Sequence, residues 1–184
     1  MHIGPPKIDG PPKRLYDVFS PTWHSKWEIV DNKSCELVMQ DFKNLQTNWE
    51  IEQYEPGFII DLYAWQGGRN WVAAEVKEST YSIHDMNVGP CHGAFIPDHK
   101  TYALGTAMLM GFDYTVFVYI ICGERYYIPL KCLRTHCKEN KHPKYLTADK
   151  QTLKKEGNFS LPTEILVQYH GIEPFMEYVK RNRF

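Results

Sequence analysis

The sequence predicts one α/β or α+β domain, in which a mixed central β-sheet is flanked by helices. The chain has 184 residues, enough for a single well-buried core, and its 43% hydrophobic and 23% charged residues are typical of a globular protein. Two segments, residues 58–80 and 112–129, have the pattern of a β-hairpin. Segments of helical periodicity precede, separate and follow them. The expected order is helix, strand, strand, helix, strand, strand, helix.

The first helix is expected over residues 34–45 (SCELVMQDFKNL), where Ser34 can act as the N-cap and apolar residues recur at helical spacing. Residues 49–54 are either a short strand or a connection. A second helix is expected to begin at an N-cap Asp98 and to stop at Gly111. These elements frame the first hairpin.

The second hairpin begins with an apolar strand over residues 112–121 and returns to Pro129. A final helix is expected over residues 174–182. Residues 1–30 contain Pro-Pro pairs and glycines, and they are predicted to form an N-terminal arm beside a single domain at 31–184. The start lacks the apolar core of a signal peptide, and five cysteines show no paired framework. These features predict an intracellular, cytoplasmic protein, either cellular or encoded by a phage or virus.

The first hairpin carries charges where a buried strand should be apolar. If its turn is centred on Gly68, Asp61 faces Glu75 across the two strands, with Cβ atoms roughly 5 Å apart. Lys77 lies two residues beyond Glu75 and therefore on the same face. The same register makes Trp65 and Trp71 a cross-strand aromatic pair.

Two carboxylates this close repel each other unless a cation lies between them. Oxygen ligands suit Mg²⁺ or Mn²⁺, which activate water and stabilise charge on a phosphate. The predicted chemistry is phosphodiester hydrolysis, in which Asp61 and Glu75 bind the metal and Lys77 orients water or offsets negative charge. The structural alternative is an ion pair of Asp61 with Lys77, with Glu75 at a strand edge.

These residues resemble the D…ExK signature of the PD-(D/E)XK nuclease superfamily. Asp61 supplies the first acid, and Glu75-Val76-Lys77 follows after thirteen residues. Glu36, 25 residues before Asp61, is placed where many members carry an additional acid. The resemblance implies a restriction-endonuclease-like fold and assigns Glu36 as a supplementary catalytic acid.

Residues 95–100, 116–133 and 161–184 resemble the equivalent regions of RecU-type Holliday junction resolvases. Three features depart from that pattern. Lys100 replaces a glutamine, which predicts a phosphate contact. The segment between Glu36 and Asp61 is too short for the resolvase stalk, and a Pro-Gly arm replaces a basic one. The resemblance implies a metal-dependent endonuclease of branched DNA, acting in recombination and repair as a two-fold homodimer.

A basic segment predicts how DNA is held. Residues 131–155 contain eight lysines and arginines and two acids, although the net charge of the chain is −1. A solvated surface segment is the alternative interpretation. The candidate DNA-binding residues are His99, Lys100, Lys131, Arg134, Lys138, Lys141 and Lys144.

Two other functions remain open. A restriction- or repair-type nuclease would share the site but act on linear or damaged DNA, and a non-catalytic DNA-binding protein would share only the scaffold. Cys132, His136, Cys137 and His142 contain zinc-ligand types, but their spacing matches no finger or ribbon template, so zinc is not expected. No membrane partner is expected, because the longest apolar run, residues 114–122, suits a buried strand.

Overall fold

A five-stranded mixed sheet organises the fold, in the strand order β1-β2-β3-β5-β6. The computed structural model describes residues 21–54, 60–89, 92–139 and 158–183. Strands β3 and β5 pair in parallel at the centre, and the other neighbours pair antiparallel. The strands of this sheet are β1 (Trp49–Gln53), β2 (Leu62–Gln66), β3 (Arg69–Ser79), β5 (Tyr114–Ile121) and β6 (Glu124–Pro129).

Helices cover both faces of the sheet. The remaining elements are α1 (Pro21–Lys43), α2 (Ile83–Val88), β4 (Ala94–Pro97), α3 (Asp98–Leu109), α4 (Leu130–His136), β7 (Lys138–Glu139), β8 (Asn158–Leu161), α5 (Thr163–Val167) and α6 (Glu173–Arg181). Helices α1 and α6 share one hydrophobic core with the sheet, and α3 packs on the opposite face. A small sheet, β4-β8-β7, packs on the same side of the main sheet as α3. No helix in the described part of the chain is long and apolar enough to cross a bilayer.

The predicted order of helices and hairpins is confirmed as the framework, and the α+β class with it. All eight residues of β5 are buried because the strand lies inside the sheet with helices on both sides, which explains its continuous apolar sequence. The helix that separates the hairpins is α3, and Gly111 after it has a φ of 101°, which glycine adopts without strain. Its N-cap is Pro97 and not Asp98, so that cap prediction is wrong.

Helix α1 is longer than predicted and begins 13 residues before Ser34. Ser34 is therefore a buried residue within the helix, and its hydroxyl donates a 2.8 Å hydrogen bond to Glu78 Oε2. The N-cap prediction failed because a serine inside a helix can bond a neighbouring strand instead of the helix backbone. The helix also runs across residue 30, where the arm was expected to end. Residues 1–20 lie outside the described residues.

Helix α1 is attached to β6 through a charged cluster, the Asp41 triad (Asp41, Arg125 and Tyr127). Arg125 donates two 2.8 Å hydrogen bonds, one to each carboxylate oxygen of Asp41. The Tyr127 hydroxyl donates to Asp41 Oδ2 at 2.6 Å. This bidentate arrangement matches one carboxylate with one guanidinium, and the pKa of Arg125 is raised, chiefly by its hydrogen bond to Asp41.

A candidate metal site on the central hairpin

The first hairpin has the register that places the two acids opposite each other. Leu62 pairs with Ala74 and Ala64 with Val72, so the position before Leu62 faces the position after Ala74. These positions are Asp61 and Glu75.

A β-bulge near the turn produces this register. The turn is Gly67-Gly68, with φ of 57° and 73°, and it pairs Gln66 with Arg69. Between that pair and the rest of the ladder, the single residue Trp65 faces two residues, Asn70 and Trp71, which is a β-bulge. The φ of 54° at Asn70 accommodates the extra residue. The bulge shifts the pairing by one residue and so decides that Asp61 turns towards Glu75.

The predicted aromatic pair is confirmed next to this bulge. The rings of Trp65 and Trp71 are stacked, with centroids 5.3 Å apart and an interplanar angle of 22°. Tyr63 extends the stack, 5.4 Å from Trp65. These rings belong to the core cluster that also contains Ala107 of α3, so the hairpin face that carries the acids is the face covered by α3.

Glu75 lies at the centre of the sheet, on β3 between β2 and β5. It is only 3% exposed, whereas the side chain of Asp61 is 23% exposed. The structural alternative required Glu75 at a strand edge, and its central position contradicts that arrangement. A carboxylate here is costly unless a cation or a proton accompanies it.

Lys100, in the first turn of α3, provides a cation between the two acids. Its Nζ lies 2.8 Å from Asp61 Oδ2 and 2.6 Å from Glu75 Oε2. We call Asp61, Glu75 and Lys100 the Lys100 triad. In this structure the Lys100 ammonium contacts both carboxylates, and its expected contact with phosphate stays a prediction.

The charges of the Lys100 triad are unequal, since one ammonium faces two carboxyl groups. Burial and, to a lesser extent, the Asp61 charge raise the pKa of Glu75, Lys100 opposes them, and the net result is a pKa of about 8. The two carboxylates in turn raise the pKa of Lys100 against the effect of its own burial. Lys100 therefore stays charged at neutral pH, and Glu75 retains a proton in part.

The backbone of β3 fixes the Asp61 carboxylate. The Val76 N–H donates a 2.8 Å hydrogen bond to Asp61 Oδ2, and the Asp61 N–H donates to the Ala74 carbonyl at 3.2 Å. On the side towards α1, a small cavity is lined by Asp61, Val76, Glu78 and two residues of α1, Ser34 and Cys35. Asp61 thus has a fixed orientation and an open side.

The two other predicted site residues, Glu36 and Lys77, have different surroundings. Glu36 is exposed on α1, and among the described residues no group of three or more His, Cys, Asp and Glu side chains is close enough to hold one ion. Glu36 therefore does not join Asp61 and Glu75. Lys77 follows Glu75 on the same face of β3, and its ammonium lies 5.7 Å from the centroid of the Phe95 ring.

The candidate DNA-binding residues are only partly described. Lys131 and Arg134 are exposed on α4 and line a cavity of about 330 Å³ with Tyr114 and Tyr178. The Arg134 guanidinium lies so close to α3 that a Cβ built on Gly105 would be 2.7 Å from its Nη2. Gly105 lies about 7.5 Å along the helix from Lys100, at 1.5 Å per residue. The side chains of His99 and Lys138, and the whole of Lys141 and Lys144, lie outside what the structure describes.

The structure describes only some of the residues that were considered for zinc. Cys132 and Cys137 are half-buried around α4, and burial raises the pKa of the Cys137 thiol to about 12. His142 falls in a segment that is not described.

Sequence reasoning identified both acids but missed the contact that Lys100 makes with them. The signal available in the sequence was the position of Lys100 at the start of a helix that follows the hairpin in the chain. Lysine in a first helical turn is unfavourable for the helix dipole, which indicates a local acidic partner. The identity of that partner depended on how α3 docks on the sheet.

Comparison with known proteins supports the fold. A solved structure of Hjc, a Holliday junction resolvase from the archaeal hyperthermophile Archaeoglobus fulgidus, superposes with a TM-score of 0.53 at 12% sequence identity. The alignment covers 82% of this chain and 96% of that chain. No family model and no curated protein matches the sequence. The chain has the restriction-endonuclease-like fold of that resolvase, a mixed central sheet flanked by helices, and at 12% identity the likeness shows the fold alone.

Proposed function

We propose that this protein is a divalent-metal-dependent DNA endonuclease that hydrolyses phosphodiester bonds and prefers branched DNA. The observation that carries the proposal is the convergence of Asp61 and Glu75 on one cationic group, within 2.8 Å of both carboxylates. The two acids come from opposite strands of one hairpin, and Glu75 is buried where charge is unfavourable. Such an arrangement is costly for stability and is typical of a functional site.

The donor set fits Mg²⁺ or Mn²⁺. Asp61 and Glu75 offer hard carboxylate oxygens directed at one point, and that point already accommodates a cation. These two residues would hold the ion, which when bound supplies a Lewis acid that activates water and stabilises charge on the phosphate.

Other residues of the chain orient the reactants. The Val76 N–H keeps the Asp61 carboxylate directed at the site. Lys77, on the same face as Glu75, is assigned to offsetting negative charge on the phosphate, which requires its ammonium to leave the Phe95 ring. Glu36 remains a proposed supplementary acid only if α1 or the substrate brings it nearer.

Exposed basic side chains are assigned to the DNA backbone. Lys131 and Arg134 lie near α3, the helix that carries Lys100, so a strand that reaches the carboxylates can pass over them. Contacts of this kind position the duplex without reading its sequence. His99, Lys138, Lys141 and Lys144 extend the same proposal to residues that are not described.

The preference for a four-way junction rests on the likeness to a fold whose neighbour is named as a Holliday junction resolvase. Cutting both strands symmetrically requires two active sites, so we propose a two-fold homodimer. This assigns the protein to DNA recombination and repair in the cell interior. A restriction- or repair-type nuclease would use the same site on linear or damaged DNA, and a non-catalytic binding protein would retain the fold alone.

The test compares labelled four-way, flap and linear DNA with Mg²⁺, Mn²⁺ or EDTA, using the wild type beside Glu75→Gln. We expect metal-dependent nicking that is strongest on the four-way junction and absent from the variant. Equal cleavage of linear duplex would replace junction selectivity by the restriction- or repair-type alternative. Tight DNA binding with all substrates intact would leave only the non-catalytic alternative.

A further inference from the structure

The ammonium of Lys100 occupies the position where the two acids converge. Its Nζ contacts Asp61 Oδ2 at 2.8 Å and Glu75 Oε2 at 2.6 Å, which are charge-assisted hydrogen-bond distances. The same two oxygens are those on which a divalent ion between the acids would depend. The structure therefore shows the acids already paired with a cation that belongs to the chain.

The chain keeps the acids fixed and leaves the cation able to move. The side chain of Glu75, in the interior of β3, is only 4% exposed, and Asp61 is held by the Val76 N–H. Lys100 is 18% exposed, near the N-terminus of α3, on a flexible four-carbon stem. A change in its side-chain torsions would move the ammonium away from the acids without moving the sheet or the helix.

A divalent ion and an ammonium in contact with the same two carboxylates would repel each other strongly in this partly buried site. Each cation therefore lowers the affinity of the acids for the other, and the coupling is reciprocal. A neutral side chain at position 100 would leave the acids without this resident partner and available to metal.

We propose that Lys100 is a built-in competitor of the divalent metal, so that the site is loaded by exchange of the Lys100 ammonium for the ion. This proposal rests on the proposed metal site at Asp61 and Glu75. Its consequence is regulatory. The Lys100 ion pairs stabilise the metal-free protein, and the metal binds more weakly than it would to the two acids without Lys100. Lys100 acts on the acids and is a positioning residue in this account.

Direct metal binding tests the exchange. Mn²⁺ is titrated into wild type, Lys100→Gln and the control Lys180→Gln, which removes an exposed lysine paired with Glu177. Binding is followed by calorimetry and by the electron paramagnetic resonance signal of free Mn²⁺. We expect Lys100→Gln to bind Mn²⁺ about 10-fold more tightly than wild type, and Lys180→Gln to match wild type, since a tenfold change is a moderate coupling between two sites.

Thermal unfolding separates competition from a merely structural role. Without metal, Lys100→Gln should unfold at a lower temperature, because the two acids lose their cation. With saturating Mn²⁺, the increase in unfolding temperature should be larger for Lys100→Gln than for wild type. A lower unfolding temperature with unchanged Mn²⁺ affinity would overturn the proposal and leave Lys100 as a structural ion pair.

A measurement on the wild type covers the case in which Lys100→Gln does not fold. Lysines are acylated briefly with an amine-reactive reagent, with and without Mg²⁺, and the extent of modification is read by mass spectrometry. We expect Mg²⁺ to increase modification of Lys100 several-fold and to leave Lys180 unchanged. Unchanged or decreased modification of Lys100 at a Mg²⁺ concentration that saturates the protein would overturn the exchange.

The outcomes also distinguish this proposal from the proposed function. If neither wild type nor Lys100→Gln binds Mn²⁺, the metal site itself fails, and the endonuclease proposal with it. If both bind with equal affinity and wild type cleaves DNA, only the competition fails.

Discussion

Two charged clusters on opposite faces of the same sheet differ in how their charges are matched. The Asp41 triad joins one carboxylate to one guanidinium through a bidentate pair, and a tyrosine hydroxyl donates to the same carboxylate. The Lys100 triad joins two carboxyl groups to one ammonium, and one of the acids is almost fully buried. The first cluster is complete, whereas the second has an acid in excess.

This difference separates a structural cluster from a candidate site. A matched pair with two parallel hydrogen bonds attaches α1 to β6 and requires no further partner. Burial and the nearby Asp61 charge raise the pKa of Glu75, and an acid without a matching cation is costly for stability and is typical of a functional site. Both clusters lie between the sheet and a helix. The ratio of acidic to basic groups therefore distinguishes the candidate site from the structural cluster.

Isosteric substitution in each cluster should separate the two roles most strongly. Asp61→Asn keeps an oxygen that can accept from the Val76 N–H but removes a negative charge from the proposed metal site. We expect Mg²⁺-dependent cleavage of four-way DNA to fall about 100-fold or more, as for other losses of electrostatic stabilisation. Asp41→Asn, measured per folded molecule, should cleave at nearly the wild-type rate. A similar loss in both variants would contradict the division between the clusters.

The stability of the same variants should rank in the opposite order. Asp41→Asn leaves Arg125 without its carboxylate, and the two side chains are 15% and 30% exposed, so solvent moderates the penalty. We expect the free energy of unfolding, measured with urea, to fall by about 2 kcal/mol. Asp61→Asn should change it by less, since that substitution relieves repulsion with Glu75. A larger loss for Asp61→Asn would make the Lys100 triad the structural cluster.

The pH dependence of stability should originate in the Lys100 triad. The folded protein retains a proton on Glu75 up to a pKa of about 8, whereas an ordinary glutamate releases it near 4.5. The free energy of unfolding in EDTA should therefore fall as the pH rises from about 4.5 to about 8, by at least about 1 kcal/mol, the equivalent of one pKa unit. Glu75→Gln should flatten this slope, and a slope that persists in the variant would assign it elsewhere.

The smallest change in stability should come from an exposed histidine–glutamate pair whose contact is as short as those in the two clusters. His170 and Glu124 lie 2.6 Å apart, but more than half of each side chain is exposed. We expect His170→Gln to change the free energy of unfolding by less than about 0.5 kcal/mol and to leave cleavage unchanged, because water screens such pairs. A change as large as that of Asp41→Asn would show that exposure does not distinguish the three clusters.

The sequence predicted the parts of the site that depend on local pairing. Alternation along β3 put Glu75 and Lys77 on one face, and the glycine turn placed Asp61 opposite Glu75. The bulge at Asn70 was not predicted, although it was needed to give that register with a two-residue turn. Local spacing therefore led to the right pair through a turn that differed in detail.

Predictions that depended on packing between distant segments were less accurate. Ser34 was assigned to a helix start because its type suits a cap, but its hydroxyl reaches Glu78 on β3. Glu36 was assigned to the site through a resemblance, and it is exposed on α1 instead. Neither outcome can be derived from spacing along the helix, because both depend on how α1 lies against the sheet.

By itself the sequence determined the α+β class, the two hairpins and the pair of acids, because strand alternation and turn chemistry act over a few residues. Only the tertiary structure decided that Lys100 pairs with those acids, since it lies 39 positions after Asp61 in the chain and docking of α3 brings the two side chains within 2.8 Å. The physical reason is that a side chain's charge partner is chosen by packing across the core, where low polarity makes each ion pair strong and each mismatch costly.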